Sequence, residues 1–298
     1  MLKRLSFIVV FFIVGFFVNS QEVFEQVSNN NIYDLLDELA NQQVITINSA
    51  IKPYSRLLIA EKLKEASGKN SLLNKRQQDE LAFYMKDYSR ELPGGYITDY
   101  LGKRFINKEA DKFGRRFDLL YYRDSLFNIS INPILGYEYF SNAKGTNFHR
   151  WNGADAFAYV GKNWGFYSSL RDNHESELFS LSNYLTQQRG GTIKKMDKGG
   201  DYEEVKGGIT YSWKWGSICM AKENIIWGNN YHGSNIFSDR TPSFPFIKLH
   251  INPVKWFDFN YFHGWLVSGV IDSLQTYHYN NGNRIIYHPK YIAANMFT

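Results

Sequence analysis

The spacing of apolar residues changes once along this chain, and that change constrains the fold more than any other feature. Up to about residue 93, apolar side chains recur every three or four residues, which is the spacing of one face of an α-helix. From about residue 117 they alternate with polar side chains, which is the spacing of a β-strand with one apolar face. The sequence therefore predicts a mainly β protein that begins with a small α-helical domain.

The first twenty residues have the features of an export signal. Lys3 and Arg4 give a positive start, the run Phe7–Val18 is apolar, and the segment ends at Asn19 and Ser20. We therefore interpret residues 1–20 as a signal peptide. The alternative, an uncleaved membrane anchor, fits less well, because a membrane-spanning helix needs about 20 apolar residues.

Three helical stripes lie in residues 21–93, the range predicted as a helical domain on the periplasmic side. Asn30 and Asn31 can cap the first helix, and the second begins at the cap Ser55 and ends at Gly68. The stripes are formed by Ile32, Leu35, Leu36 and Leu39; by Leu58, Ile59, Lys62, Leu63 and Ala66; and by Leu81, Tyr84, Met85, Tyr88 and Leu92. Residues 94–116 are interpreted as a linker.

Long alternating segments follow the linker and begin at Phe127, Trp164, Val205 and Phe257. Each is close to the 9–11 residues, roughly, that a tilted transmembrane strand requires. Aromatic residues make up 17% of the chain, and tryptophans gather near predicted strand ends, as in an interfacial girdle, at Trp151, Trp164, Trp215, Trp227 and Trp256. These features favour a large antiparallel outer-membrane β-barrel over residues 117–298; a soluble β-sandwich or propeller is the alternative.

Turn signals divide this part of the chain into short and long connections. Short turns are predicted at Asp124–Ser125, Asn252–Pro253 and Asn280–Gly282, and the longest excursion covers residues 173–204. About ten strands fit into the region, at roughly 18 residues for each strand and its connection. Because Ile285–Thr298 has no clear terminal strand, we expect the barrel portion to be incomplete; a complete barrel of eight or ten strands is the alternative.

Other chemical signatures are weak. Asp172, His174, Glu175 and Glu177 can ligate a metal, but they follow a strand directly, so a solvated loop is the preferred interpretation. The chain has no HExxH, GxSxG or phosphate-binding motif, and its lysine-rich segment near Lys194 also carries aspartates. We therefore predict no catalytic residue, no metal site, no cofactor and no nucleic-acid partner.

Three segments in order resemble the bacterial capsule assembly Wzi family. They are Ile32–Ala40 followed by Ile51–Arg56, then Tyr159–Arg171, and then Trp227–Ser234 followed by Pro242–Pro245. The resemblance implies an outer-membrane barrel of about 18 strands with a periplasmic helical domain. It also implies a non-catalytic lectin role in assembling or retaining capsular polysaccharide, with that polysaccharide, outer-membrane lipid and the export machinery as partners.

The residues of the third segment also suit saccharide binding on their own chemistry. Aromatic faces pack on sugar rings, and planar polar side chains hydrogen-bond sugar hydroxyls. The predicted polysaccharide-binding residues are Trp227, Asn230, Tyr231, His232 and Arg240. The alternative is that this segment only folds a loop, with turns at its glycines and the tryptophan as an interfacial anchor.

Two further functions remain open from the sequence. An outer-membrane diffusion channel with a helical plug fits the same amphipathic strands. A surface glycoside hydrolase on a soluble β scaffold is the third hypothesis, and it requires a pair of carboxyl groups about 5–10 Å apart.

Overall fold

The computed structural model describes residues 21–92, 102–105, 118–176, 194–195, 199–228, 234, 236–238, 241–254, 256–279 and 282–298. The predicted signal peptide, residues 1–20, therefore lies outside the described residues. So does most of the predicted linker, residues 94–116, except for residues 102–105, which form a strand.

Three helices form where the apolar stripes predict them. They are α1 (Asn30–Asn41), α2 (Arg56–Ser67) and α3 (Lys75–Asp87), with a short 3-10 turn at Asn70–Leu72. The Ser55 hydroxyl accepts a hydrogen bond from the Leu58 amide, so the predicted cap of α2 is confirmed. The predicted cap of α1 is wrong by one residue, because helix α1 starts at Asn30 itself, and Asn29 at the N-cap makes no side-chain cap hydrogen bond.

The three helices pack on one shared apolar core, as their stripes require. Fully buried side chains of α1 and α2 meet the C-terminal half of α3, and the core includes Leu35, Leu36, Leu39, Ile59, Leu63, Ala66, Leu81 and Tyr88. Helix α3 begins with a capping box, in which Asn74 and Gln77 each bond the other's backbone amide. The helical part, residues 21–92, thus has an apolar core of its own.

The rest of the described chain consists of strands. Sixteen strands occur in chain order: β1 (Ile51–Lys52), β2 (Gly102–Phe105), β3 (Leu120–Arg123), β4 (Phe127–Asn142), β5 (Gly145–Val160), β6 (Trp164–Glu175), β7 (Lys194–Lys195), β8 (Gly200–Trp213), β9 (Gly216–Glu223), β10 (Ile226–Trp227), β11 (Phe237–Ser238), β12 (Phe244–Val254), β13 (Phe257–Ile271), β14 (Tyr277–Tyr279), β15 (Gly282–Arg284) and β16 (Tyr287–Phe297).

Eleven strands join into one large antiparallel sheet. Its main path runs β16–β13–β12–β9–β8–β6–β5–β4–β3–β2, with β7 paired to β8, and two small sheets are formed by β1–β10–β11 and by β14–β15. The mainly β, antiparallel part of the prediction is therefore confirmed. Within the described residues, β2 and β16 are edges that do not pair with each other, so the sheet is not closed.

Three of the predicted strand boundaries are wrong. The alternating run from Val205 to Gly216 is two strands, because β8 ends at Trp213 and a turn precedes β9. Asn252–Pro253 is not a turn but part of β12, where a shift of register between Ile251 and Val254 accommodates the proline. The sequence predicts no clear terminal strand in Ile285–Thr298, but Tyr287–Phe297 is a strand that pairs along β13.

The predicted turn at Asp124–Ser125 is confirmed. The Asp124 carboxylate accepts hydrogen bonds from the backbone amides of Leu126 and Phe127, which closes the turn between β3 and β4. Of the predicted turn Asn280–Gly282, only Gly282 lies among the described residues, at the start of β15.

The two faces of the large sheet differ in an unusual way. One face exposes large apolar side chains, among them Leu135, which is 79% exposed, and Met220, which is 63% exposed. The same face carries Leu170, Val205, Ile209, Tyr211, Ile218, Ile247, Trp265, Val267, Tyr291 and Phe297. We call it the outer face.

The opposite, inner face buries many polar side chains. They include Ser130, Asn132, Ser169, Asn173, Lys206, Thr210, Ser212, Ser217, Glu223, Lys248 and Asn260. A smaller apolar cluster also lies on this face, where Phe24 of the N-terminal segment and Trp227 of β10 pack against Phe246 and Phe262. Other parts of the chain therefore cover the inner face, whereas the described residues leave much of the outer face exposed.

Candidate binding site

The helical part is attached to the inner face of the sheet by buried charges. The Arg56 guanidinium at the start of α2 donates to Glu25 Oε2 at 2.6 Å and to Glu91 Oε1 at 2.8 Å. Tyr159 of β5 donates its hydroxyl hydrogen bond to the same Glu91 oxygen at 2.6 Å. The Arg56 guanidinium also lies 4.3 Å from the ring centroid of Phe157 on β5. This cluster, which we call the Arg56 cluster, joins three separate segments.

A second arginine reinforces this junction. Arg90 forms an ion pair with Asp118, and Asn132 of β4 donates a hydrogen bond to the same carboxylate at 3.0 Å. The Arg90 guanidinium lies 4.9 Å from the centroid of Phe157, the ring that Arg56 also approaches. Two cations on one aromatic ring fix the position of the helical part on the sheet.

The carboxylates that contact Arg56 keep its guanidinium positively charged. Burial by itself would lower the pKa of Arg56, but the carboxylates of Glu91 and Glu25 outweigh burial and hold it well above its usual value. A buried charge of this kind is stable only while its partners are present. The junction therefore depends on all of its charged members at once.

Beside this junction lies a pocket of about 520 Å³, which we call the Lys248 pocket. Its floor is formed by β12 and β13, one rim by the turn between β8 and β9, and its roof by residues 46–62 and Glu22. Its polar lining includes Glu22, Lys248, His250, Asn252, Asp258 and Asn260, and the charged side chains of Glu61, Lys62 and Lys214 also line it. The pocket thus lies at the end of the sheet where short turns connect the strands.

Asp258 organises one wall of the pocket. Its carboxylate accepts hydrogen bonds from Asn260 Nδ2 at 2.5 Å and from Asn252 Nδ2 at 3.4 Å, and His250 Nε2 lies 3.3 Å from it. Its backbone is fixed as well, because it exchanges two hydrogen bonds of 2.9 Å with Thr298. These bonds hold the two amides and the imidazole in fixed positions.

Lys248 and Glu22 line the same pocket but have fewer hydrogen-bond partners than Asp258. Lys248 is only 6% exposed, and its ammonium lies 5.0 Å from the ring centroid of Phe24. In the described part of the chain it makes no hydrogen bond and no ion pair. The Glu22 carboxylate oxygen Oε2 is buried and likewise has no hydrogen-bond partner among the described residues. One pocket therefore contains an ammonium group that makes no hydrogen bond and a buried carboxylate oxygen that accepts none, and a polar molecule in the pocket could bond to both.

Aromatic side chains complete the rim. Trp213 and Trp215 both line the pocket, and their ring centroids lie 5.2 Å apart in an edge-to-face arrangement. Trp215 is exposed at the turn between β8 and β9. Flat aromatic surface beside fixed amides and carboxylates is the composition of sites that bind hydroxylated ligands.

The saccharide-binding residues predicted from the sequence do not take part in this pocket as far as the structure describes them. Trp227 is only 2% exposed and packs edge-to-face against Phe237 and Phe262, with ring centroids 5.6 and 5.1 Å away. The other predicted residues, Asn230, Tyr231, His232 and Arg240, lie outside the described residues. Their role in binding stays a prediction.

The carboxylates and the histidine that the sequence places in a loop are arranged differently from the prediction. Asp172, His174 and Glu175 lie within β6 rather than in a loop, and His174 Nδ1 is 2.6 Å from Asp201 on the neighbouring strand β8. Glu177 lies outside the described residues. Among the residues that are described, no group of histidine, cysteine, aspartate and glutamate side chains is arranged to hold a metal ion. No described helix has the length and apolar character that would let it cross a membrane.

Comparison of the chain with protein-family models, with curated proteins and with solved structures finds no match. The resemblance to the capsule assembly Wzi family therefore stays a prediction from the three segments quoted above. The chemistry of the described residues must carry any functional proposal.

Proposed function

We propose that this chain is an outer-membrane protein that binds surface polysaccharide and assists its assembly or retention without catalysing a reaction. One observation carries the membrane part of the proposal, namely that the large sheet exposes its apolar face and buries its polar face. A sheet in water has the reverse arrangement, with the apolar face buried against a core. An exposed apolar face of this extent is stable when it contacts lipid.

The aromatic residues support the same proposal. Trp164, Tyr211, Trp213 and Trp215 form a row of neighbouring rings at the short-turn end of the sheet, with centroid distances of 4.9 to 6.3 Å. Tryptophan and tyrosine prefer the interface between lipid and water. This row suits one interfacial girdle of a barrel wall, and short turns typically lie on the periplasmic side. The helical part would then be periplasmic.

In this proposal the sheet is part of the wall of a β-barrel. Backbone groups at an open sheet edge cannot find partners in hydrocarbon, so each edge must be hydrogen-bonded within the membrane. The edges β2 and β16 would therefore pair with further strands.

The polysaccharide part of the proposal rests on the Lys248 pocket and on the Wzi-like segments. The pocket combines two tryptophans with amide, carboxylate and ammonium groups, a combination that suits saccharides. A diffusion channel is less well supported, because Phe24, Ile51 and Trp227 pack against the inner face, where a channel needs open space. Partners under the proposal are capsular or other surface polysaccharide, outer-membrane lipid and the export machinery.

A deletion strain tests the proposed function. We expect loss of the chain to reduce the polysaccharide retained on the cell surface, and the wild-type gene supplied in trans to restore it. The measurement is the ratio of cell-bound to released polysaccharide after mild washing. An unchanged ratio in the deletion strain would contradict the polysaccharide role.

A further inference from the structure

We propose that the Lys248 pocket binds a neutral saccharide unit, with the Lys248 ammonium donating a hydrogen bond to one sugar hydroxyl and the Glu22 carboxylate accepting one from another. The ligand class rests on the proposed function, since the pocket itself requires only a small hydroxylated molecule. The pocket, its two key residues and its ligand charge are inferred from the geometry alone.

Lys248 supplies the first reason. It projects from β12 to the inner face, is 6% exposed, and has no hydrogen bond or ion pair among the described residues. The Glu22 and Asp258 carboxylates favour its positive charge, but no described group accepts a hydrogen bond from it. Lys248 can therefore still donate hydrogen bonds to a molecule in the pocket that it lines.

Glu22 supplies the second reason, from a different segment of the chain. Its backbone amide donates to the Ser212 hydroxyl at 3.2 Å, which fixes the residue above the sheet. Its carboxylate oxygen Oε2 is buried without a partner in the described structure. Glu22 and Lys248 both line the pocket and attract each other electrostatically, but no direct ion pair joins them.

The charged side chains of the pocket balance each other, and this balance decides the charge of the ligand. The pocket is lined by the carboxylates of Glu22, Glu61 and Asp258 and by the ammonium groups of Lys62, Lys214 and Lys248. An acidic ligand would be repelled by the carboxylates, and a cationic ligand by the ammonium groups. A hydroxyl group both donates and accepts hydrogen bonds, so a ligand with several hydroxyls satisfies Lys248 and Glu22 together.

The remaining walls fit the same ligand. Asn252 and Asn260 are held by Asp258, which leaves planar amides in fixed positions at the pocket surface. Trp213 and Trp215 offer apolar surface for the C–H groups of a sugar ring. The volume of about 520 Å³ lies within the usual range for small-ligand sites, which is about 300–1,000 Å³.

The test uses the full chain, purified in a detergent without a sugar headgroup so that the detergent does not compete for the pocket. The probes are glucose, galactose, mannose and N-acetylglucosamine, with glucuronate and galacturonate as acidic counterparts. Saturation-transfer NMR detects binding, and titration gives the dissociation constants. We expect at least one neutral sugar to bind, and to bind more tightly than its acidic counterpart.

Two variants connect binding to the pocket. Lys248→Met removes the ammonium while keeping the length of the side chain, and Glu22→Gln changes the carboxylate to an amide of the same shape. We expect each to weaken the neutral sugar about tenfold or more, which corresponds to the loss of about 1.4 kcal/mol. Lys290→Met, on the exposed part of β16, is the matched control and should bind as the wild type does.

Folding of each variant is checked by circular dichroism. If Lys248→Met does not fold, the affinity of the isosteric variant Glu22→Gln decides whether the pocket binds the sugar. No binding of any neutral sugar to the folded wild type, tighter binding of the uronates, or wild-type affinity in a folded pocket variant would each overturn the proposal. The proposed function is judged separately by the deletion strain. If that strain loses surface polysaccharide while no neutral sugar binds the pocket, the pocket proposal fails and the proposed function stands.

Discussion

The helical part and the large sheet place their apolar side chains in opposite directions. In the helical part Leu36 and Leu39 are fully buried, and the buried charges of the Arg56 cluster lie at the junction with the sheet. In the sheet Leu135 and Met220 face outward, and Lys206 and Glu223 are buried. Apolar side chains avoid water in both regions under the proposed function, in which water surrounds the helices and lipid contacts the outer face of the sheet.

The largest expected effect is loss of the helical part at alkaline pH. Burial is the main cause that raises the pKa of Tyr33 and Tyr88 well above the usual value, and the Glu25 carboxylate adds to it. Burial also raises the pKa of Tyr84 to about 12. Tyrosines of the unfolded chain release their protons near pH 10, whereas the folded helices retain them, so the free energy of unfolding decreases as pH rises above about 10.

We therefore expect the helical circular dichroism signal at 222 nm to disappear between about pH 10 and pH 12, in step with tyrosinate absorbance. Tyr84→Phe removes one of the titrating groups and should move the transition to higher pH. A helical signal that persists unchanged to pH 12, or a transition that Tyr84→Phe does not move, would contradict this assignment.

The second effect separates the two regions at their junction. Arg56→Met leaves Glu25 and Glu91 as uncompensated buried charges, which costs about 3–5 kcal/mol of stability. We expect the helical part to unfold at lower denaturant concentration, as followed by limited proteolysis, while the strands remain protected. Arg76→Met, which removes only exposed ion pairs to Glu38 and Glu80, is the control and should cost about 1 kcal/mol or less.

The third effect compares the replacement of an exposed apolar side chain by arginine in the two regions. Ile209→Arg places a charge on the outer face of the sheet, and in a lipid-facing strand this costs about 2–4 kcal/mol near the middle of the bilayer. Leu72→Arg, on an exposed turn of the helical part, should change stability by about 0.5 kcal/mol or less. Urea unfolding in liposomes measures both. Equal effects of the two substitutions would remove the distinction between the regions.

The smallest effect concerns the helical part alone. Asn74→Ala removes the capping box of α3, in which Asn74 accepts from the Gln77 amide at 2.9 Å, and should cost about 1 kcal/mol. Asn41→Ala, an exposed position in the last turn of α1, is the control and should change the free energy of unfolding by about 0.5 kcal/mol or less. Thermal unfolding followed at 222 nm provides the measurement, and equal losses in both variants would show that the cap contributes nothing.

Local patterns were sufficient to predict the helices and most strands, because both depend on periodicity within a short segment. The boundaries failed where local chemistry and long-range pairing disagree. Trp213 and Trp215 continue one alternating pattern, although β8 ends at Trp213 and Trp215 lies in the turn before β9. Pro253 suggests a turn, although a change of register keeps it in β12.

The candidate site could not be predicted in the same way. The Lys248 pocket brings together Glu22, Lys248 and Asp258, which only the sheet topology and the docking of the N-terminal segment place side by side. The composition of its segment predicts a binding role for Trp227, yet pairing of β10 with β1 places it in the core. The sequence gives no sign that Arg56 is buried, because its ion-pair partner Glu91 lies 35 positions away.

The contact of the outer face with lipid can be measured directly with a fluorescent label on a single introduced cysteine. Cys219 is buried, so labelling is directed to the introduced cysteine at Ile209→Cys on the outer face or at Leu72→Cys on the helical part. In liposomes we expect doxyl-labelled lipid to quench the label at position 209 and aqueous iodide to quench the label at position 72. Equal iodide quenching at both positions, with no quenching by lipid at position 209, would contradict a membrane-embedded sheet.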